Sequence, residues 1–242
     1  MTDGYVDLHC HYLPGIDDGV RTMAEALELL TGLRDVGYAK VIATPHIRTA
    51  MFDNRKPDLE RAYRELTEIG AGLPDLPETG LAAEHFCDDV FWELWKAGGA
   101  LPYPGGKAAL VEFHYEMWPR HMEERFFGMQ LKGVRPVLAH PERYAALFST
   151  TDPIDPLLDV GALALLDVMS LVNRYGRRTQ RAAERMLDEG VYYAACSDAH
   201  RPADAELVGQ AIERLRSLVG DEESEELLDD NPRRILSGDV EL

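Results

Sequence analysis

Short apolar runs alternate along this chain with longer segments in which apolar residues recur every three or four positions. Short apolar runs bounded by polar or Gly/Pro-containing stretches are typical of buried strands. They predict seven strands, at residues 5–9, 40–44, 78–84, 108–113, 135–139, 162–168 and 191–196. Of these, the segment 78–84 has the weakest pattern.

The segments between the predicted strands carry helix signals. Thr22 and Glu25 form a capping-box pattern, and an apolar stripe runs from Ala26 to Val36, with Gly37 where a helix is expected to end. Further helices are predicted at residues 59–69, 88–96, 119–131, around 180–187, and on the outside of the molecule within the C-terminal segment 203–242.

Strands that alternate with helices imply parallel βαβ units. Seven such units favour an α/β barrel over an open sheet. Barrels of this kind reach 242 residues without division, so one domain spanning residues 1–242 is expected.

Charge excludes several classes of partner. The chain has 25 Lys and Arg residues against 43 Asp and Glu residues, a formal net charge of -18. Non-specific binding to nucleic acid or to anionic membranes needs dense positive charge, so neither is expected. Any anionic substrate must therefore meet a local positive site.

The sequence also bears on location. It contains no apolar run of 18 residues and begins without a basic, apolar leader, so neither a transmembrane segment nor a signal peptide is expected. Cys10, Cys87 and Cys196 form no CxxC pair and cannot all pair with one another, which suits a reducing compartment. A cytoplasmic protein is expected.

Potential metal ligands follow the predicted strands. The residues at the carboxyl ends of six of them are His9 and His11, His46, Glu84, Glu112, His140, and Asp198 with His200. In a β/α barrel these ends meet at one rim, where catalytic groups converge. Nitrogen and carboxylate donors without thiolate suit Mn, Fe or Zn, and a set of this size is sufficient for more than one ion. A carboxylate such as Glu112 could bridge neighbouring ions.

Each element of this pattern has a simpler explanation when it stands alone. An isolated HxH is a weak metal signal, and a single Glu at a strand end is more often a surface residue. Cys10 lies between two histidines on a strand, so it should point the other way and pack as a small core residue. Three further histidines lie off the pattern and are expected to be structural or solvated, namely His85, His114 and His121.

Five motifs in unbroken order extend the pattern from about residue 5 to residue 202. They are Asp7-Leu8-His9-Cys10-His11, Pro14-Gly15-Ile16-Asp17-Asp18-Gly19, Thr44-Pro45-His46, Ala139-His140-Pro141-Glu142-Arg143-Tyr144 and Ser197-Asp198-Ala199-His200. Together they resemble the PHP (polymerase and histidinol phosphatase) superfamily. The second and fourth motifs further resemble the bacterial manganese-dependent protein-tyrosine phosphatases of capsule and exopolysaccharide loci. The resemblance implies a distorted (β/α)7 TIM-like barrel.

The resemblance also implies a site of up to three ions, with Mn²⁺ favoured and Fe or Zn as alternatives. His9 and His11 would hold one ion with Glu84 or Asp198. A second ion would be held by His46, Glu112 and His140. Asp18, which matches the family's loop carboxylate better than Asp17 does, would complete the site together with His200.

Catalytic roles are implied for Arg143, His200 and Asp18. Arg143 matches the arginine that clamps the phosphate, and its fork of donors suits a phosphoryl group. Relatives often carry an Asn after the last histidine and a second arginine several residues later, whereas Arg201-Pro202 follows His200 here. Arg201 is therefore a candidate second substrate-binding arginine.

The resulting hypothesis is a metal-dependent phosphomonoesterase that acts on phosphotyrosine in the tail of a polysaccharide-biosynthesis tyrosine kinase. The alternatives are a PHP phosphatase for a small ester such as histidinol phosphate, and a non-catalytic module that binds the phosphotyrosine tail. A nuclease is disfavoured by the net charge of -18. The segments 46–54 and 84–86 look unlike those of close relatives and are expected to shape the substrate pocket.

Overall fold

Nine parallel strands form the framework of the protein in a computed structural model, which describes residues 4–71, 73 and 75–240. The strands are β1 (Tyr5–Cys10), β2 (Tyr38–Ala43), β3 (His46–Ile47), β4 (Glu78–Leu81), β5 (Glu84–Phe86), β6 (Ala108–Glu112), β7 (Arg135–Ala139), β8 (Leu163–Asp167) and β9 (Tyr192–Cys196).

The strands are arranged in two sheets. One has the order β1-β2-β4 and the other the order β3-β5-β6-β7-β8-β9, and every pairing within both is parallel. Beyond β1 and β9 the chain continues to pair, because Asp198 N donates to His9 O over 2.8 Å and His11 N donates to Ala199 O over 2.9 Å. The predicted parallel α/β architecture is confirmed.

Two of the seven predicted strands end early and are followed by short new ones. Pro45, which has no N–H to donate, separates β2 from β3. The predicted strand 78–84 was wrong in its continuity: the N–H of Ala83 donates to Leu101 O in a loop, which separates β4 from β5. After these breaks His46 and Glu84 become direct partners in the β3–β5 register, so their side chains start at adjacent positions.

Helices cover the sheets between strands. They are α1 (Met23–Asp35), α2 (Lys56–Gly70), α3 (Asp89–Lys96), α4 (Met122–Gln130), α5 (Asp155–Asp159), α6 (Arg177–Asp188), α7 (Asp204–Val219), α8 (Asp221–Glu225) and α9 (Asn231–Ser237). The capping box of α1 is confirmed, since Thr22 and Glu25 exchange backbone and side-chain hydrogen bonds of 3.2 Å each.

Two helix predictions change in detail. The helix predicted from Pro119 begins only at Met122, because His121 adopts a left-handed conformation with a φ of 58°. The predicted C-terminal helices are present as α7 to α9, with a π-helical turn at Glu226–Asp230 between α8 and α9. Residues 241 and 242 of that prediction lie outside the described part of the chain.

The packing of the core explains why the strands are continuous apolar runs in the sequence. All five residues of β6 and all five of β8 are buried, as expected for parallel strands covered on both faces. Alternate side chains enter different clusters: Leu110 packs in one with Leu8 and Ile42, whereas Val111 packs in the other. Glu112 and Asp167 are buried where β6 and β8 end, whereas Asp7 is buried within β1.

Candidate metal centre

The predicted metal ligands converge at the carboxyl ends of the strands. Seven of the nine are buried, with at most 9% of each residue exposed: His9, His11, His46, Glu84, Glu112, His140 and Asp198. The remaining two lie nearer to solvent, with 55% of the Asp18 side chain and 23% of the His200 side chain exposed. The structure therefore brings all nine residues to one place.

Glu84 is the centre of this cluster. Its Oε2 lies 3.1 Å from His9 Nε2, 3.4 Å from His11 Nε2 and 3.0 Å from His46 Nδ1. Its Oε1 lies 2.9 Å from His140 Nε2. One carboxylate thus contacts four imidazoles and could help to hold more than one cation.

The donor atoms fall into four overlapping groups, within each of which they lie no more than 4.8 Å apart. The groups are His9, His11 and Glu84; His9, His140 and Asp198; His46, Glu84 and Glu112; and His11, Asp18, His46 and His200. The grouping of His140 differs from that implied by the family resemblance, which placed it with His46 and Glu112. His46, Glu84 and Glu112 lie on the consecutive neighbours β3, β5 and β6, whereas His140 follows β7.

The cluster requires positive charge. Burial raises the pKa of Glu84, but the positive charges of His9 and His46 outweigh burial and hold it well below its usual range. Burial lowers the pKa of His46, but Glu84 and Glu112 together raise it to about 9. Protons on imidazoles thus balance the buried carboxylates here, and a divalent cation would replace them.

Unpaired buried atoms also fit a cation. Three ligand atoms in these groups, His46 Nδ1, Glu112 Oε1 and Asp198 Oδ1, make no hydrogen bond of good geometry in the part of the chain that the structure describes. His46 Nδ1 and Asp198 Oδ1 nevertheless lie 3.0 Å from Glu84 Oε2 and 3.2 Å from His9 Nε2, respectively. A buried carboxylate oxygen without a donor is costly unless a cation neutralises it. The donor set, imidazole nitrogens with carboxylates and no thiolate, fits Mn, Fe or Zn.

Asp17 has a supporting role that the sequence did not reveal. Its carboxylate accepts hydrogen bonds from His11 Nδ1 over 2.8 Å and from the backbone N–H groups of Gly19 and His46, each over 3.0 Å. Burial raises its pKa, but His11 outweighs burial and lowers it to about 2. Asp18 instead points to the cluster, 3.5 Å from His46 Nε2 and from His200 Nε2. The choice of Asp18 as candidate ligand agrees with this placement.

We expect Asp17→Asn to weaken metal affinity about 10-fold to 100-fold without removing a ligand. The carboxylate fixes the ring orientation of His11 and increases the basicity of its other nitrogen, and an amide does the first task poorly and the second not at all. Metal titration of the purified variant by calorimetry measures the change. Asp35→Asn, an exposed change on α1, is the matched control and should bind metal like the parent. Unchanged affinity in Asp17→Asn would contradict this role.

Arg143 lies against the cluster of candidate ligands and is held from three sides. It follows His140 in a short 3-10 helix, and its Nη2 donates to both Asp167 and Asp198. Its guanidinium carbon lies 3.7 Å from the centre of the Tyr175 ring. The side chain is therefore fixed before any ligand binds.

Asp167 was not predicted as a site residue, although its position carries the same signal as the predicted ligands: it ends β8 at the same rim. A second buried carboxylate supports it: Glu142 Oε1 accepts from Asp167 N over 3.1 Å and from Ser170 Oγ over 2.9 Å. Tyr192 donates to the other oxygen of Glu142 over 3.1 Å. Burial raises the pKa of Glu142 to about 8, so it is mostly protonated at neutral pH.

A pocket of about 320 Å³ opens over the cluster. Besides six of the candidate ligands, it is lined by Tyr115, Arg143, Arg174, Tyr175 and Arg201. Arg201, the predicted second arginine, thus lines the same pocket as Arg143, and Arg174 adds a third cation that the sequence did not suggest. Asp204 organises this wall, because its carboxylate accepts from Arg174 Nη2 over 3.1 Å and from Arg201 N over 2.9 Å.

Residues assigned structural roles lie outside the cluster. Cys10 is fully buried in the core, as predicted. His85 is also buried, with Nδ1 2.9 Å from Leu110 O and Nε2 accepting from Leu101 N over 3.1 Å. Among the described residues, no helix has the length and apolar character needed to cross a membrane.

Comparison with known proteins identifies bacterial relatives of this chain. Tyrosine-protein phosphatase YwqE of Bacillus subtilis (strain 168) is 29% identical over 197 residues, 81% of this chain and 77% of the relative. Tyrosine-protein phosphatase CpsB of Streptococcus pneumoniae is 25% identical over 239 residues, 96% of this chain and 98% of the relative. A crystal structure from work on YwqE and CpsB, described there as metal-dependent tyrosine phosphatases, matches with a TM-score of 0.88 and 26% identity over 96% of this chain and 94% of that one.

The resemblance seen in the sequence motifs is thereby confirmed. The family model for capsular polysaccharide synthesis proteins CpsB/CapC matches residues 5–237, nearly the whole chain. This protein therefore belongs to the CpsB/CapC family of capsular polysaccharide synthesis proteins.

Proposed function

We propose that this chain is a metal-dependent tyrosine-protein phosphatase that acts on a phosphotyrosine-bearing protein tail, such as that of a bacterial polysaccharide-biosynthesis kinase. One observation carries the proposal: nine imidazole and carboxylate groups converge beside a fixed arginine at the base of a pocket. That arrangement binds divalent cations and a phosphoryl group in one place. The names of the CpsB/CapC relatives support the choice of phosphotyrosine.

We also infer that the two sheets are parts of one distorted seven-stranded barrel in a single domain. β2 and β3 would be one interrupted strand, and β4 and β5 another. The sheets would then share a cyclic order, with β9 returning to β1 through the hydrogen bonds between residues 9–11 and 198–199. This order explains why ligands from β1 and β9 belong to the same cluster as those from β5.

The overlapping donor groups support up to three ions, with Mn²⁺ favoured and Fe or Zn using the same donors. One ion would be held by His9, His140 and Asp198, a second by His46, Glu84 and Glu112, and a third by His11, Asp18 and His200. When bound, such ions neutralise phosphoryl charge and acidify a water molecule for attack on phosphorus.

The residues of the chain itself position the substrate. Arg143 is held by Asp167, Asp198 and Tyr175, so it can donate to a phosphoryl oxygen without reorganising. Arg201 and Arg174 place further positive charge on the pocket wall, which answers the need for a local positive site in an acidic protein. Asp18 and His200 complete the donor set on the solvent side, where the substrate enters.

A phosphate-release assay tests the function. The Mn²⁺-loaded protein should hydrolyse a phosphotyrosine peptide, lose activity on dialysis against EDTA and regain it when Mn²⁺ is returned. A phosphoserine peptide and histidinol phosphate are the comparison substrates. Faster turnover of histidinol phosphate would favour a small-ester phosphatase. A loaded protein that binds the phosphotyrosine peptide and releases no phosphate would be a binding module.

A further inference from the structure

A second cavity lies beside the metal centre, with a volume of about 620 Å³. We call it the β3–α2 groove and define it by Ile47, Phe52, Arg55, Lys56, Val90 and Leu94. Val90 is 45% exposed although it belongs to the apolar wall of this groove. The groove thus offers an apolar floor and a cationic edge to solvent.

The groove and the metal centre share a wall. The ring of Phe52 stacks on the candidate ligand His46 with a centroid separation of 5.1 Å and an angle of 7° between the planes. Asn54 Nδ2 donates to His46 O over 2.8 Å, which fixes the loop between β3 and α2 on the ligand. Phe52 lines the groove and lies 5.1 Å from the His46 ring, so a peptide bound over the candidate ligands reaches the groove within a few residues, each of which spans about 3.5 Å when extended.

The charge of the groove is opposite to that of the molecule. The chain has a net charge of -18, yet Arg55 and Lys56 are adjacent at the groove edge, and neither forms an ion pair with another residue in the described ranges. Asp53 also lines the groove and accepts from Ala50 N over 2.8 Å, so the charged residues of the lining are two cations and one carboxylate. Two unpaired cations on an acidic surface complement an acidic ligand.

We propose that the β3–α2 groove binds the polypeptide that flanks the phosphotyrosine, with an apolar side chain against Ile47, Val90 and Leu94 and an acidic side chain at Arg55 and Lys56. This proposal rests on the phosphatase function proposed above. It assigns substrate selection to a surface outside the metal ligands. It also predicts that the enzyme prefers acidic flanking residues, whereas the net charge of the protein alone would favour basic peptides.

The test compares two phosphotyrosine peptides of equal length, one with Glu and one with Lys beside an apolar flanking residue. The parent enzyme should show a higher kcat/KM for the Glu-flanked peptide. The double variant R55E/K56E should lower kcat/KM for that peptide about tenfold and reverse the preference. Its rate on p-nitrophenyl phosphate, which has no flanking residues, should stay within about twofold of the parent. Glutamate at the start of α2 favours the helix, so the variant should fold.

The matched control is R61E/R64E, which reverses two exposed charges further along α2, outside the groove. It should retain the parent's preference. Equal rates on both peptides in the parent, or a preference that survives R55E/K56E, would overturn the groove proposal while leaving the phosphatase function intact. Failure of the parent to hydrolyse either peptide would instead refute the function. A change of oligomeric state in R55E/K56E, measured by light scattering, would make the groove an interface between copies and also overturn the proposal.

Discussion

Replacing Glu84 with glutamine should lower kcat about 10³-fold or more and reduce the metal content of the purified protein. The carboxylate lies within 3.4 Å of four imidazole nitrogens, and it belongs to two of the four donor groups. An amide has nearly the same shape but carries no charge and bridges cations poorly. Plasma emission spectroscopy together with turnover of a phosphotyrosine peptide measures both effects.

The control for Glu84→Gln is Glu93→Gln, because Glu93 is an exposed carboxylate on α3 that pairs only with Lys96 among the described residues. It should match the parent in metal content and rate. Full metal content in Glu84→Gln would remove Glu84 from the ligand set. Full turnover at reduced metal content would show that the ions it binds are not needed for catalysis.

The pH dependence of stability in the metal-free protein is an independent measure of the negative charge on Glu84. The pKa of His46 is raised from 6.5 to about 9, so its protonation contributes stability that is complete below pH 6.5 and is lost as the pH rises through about 9. In EDTA the melting temperature of the parent should therefore fall as the pH rises from 6.5 to 9.5. Glu84→Gln removes the main charge that raises this pKa and should show a smaller loss.

The sequence predicted much of this site because the signal is local. A residue that follows a strand in a parallel fold must lie at the carboxyl rim, so His9, Glu112 and Asp198 could be placed without knowing which strands are neighbours. Asp167 obeys the same rule but was passed over, because it ends a strand without a second polar residue nearby. The rim position of these residues follows from strand direction alone.

Which candidate donors lie within reach of one another depends on strand order, which cannot be deduced from the sequence pattern. His140 joins His9 and Asp198 because β7 is separated from β3 by two strands. The central position of Glu84 depends on the break at Ala83, which is caused by a hydrogen bond to a loop 18 residues away in sequence. Alternation of apolar residues carries no information about such a bond. The same limit applies to Asp17 and Asp18, whose different roles depend on how one loop folds over His11.

Replacing Arg143 with alanine should lower kcat/KM for the phosphotyrosine peptide about 10²-fold to 10³-fold while metal content stays near that of the parent. The guanidinium can donate to the transferred phosphoryl group from a position already fixed by Asp167, Asp198 and the Tyr175 ring. Arg143→Lys should recover little, because an ammonium group cannot span two carboxylates and also present paired donors to a phosphate.

Loss of stability alone could lower the rate of Arg143→Ala, because the change leaves the buried Asp167 without its cation, at a cost of about 3 to 5 kcal/mol. The double variant R143A/D167N separates the two effects. Removing the carboxylate together with the guanidinium should reverse most of the decrease in melting temperature. The value of kcat/KM should stay as low as in R143A. If the double variant recovered turnover along with stability, Arg143 would serve only to neutralise Asp167. A persistent loss of turnover in a stable, metal-loaded protein would place the guanidinium on the phosphoryl group.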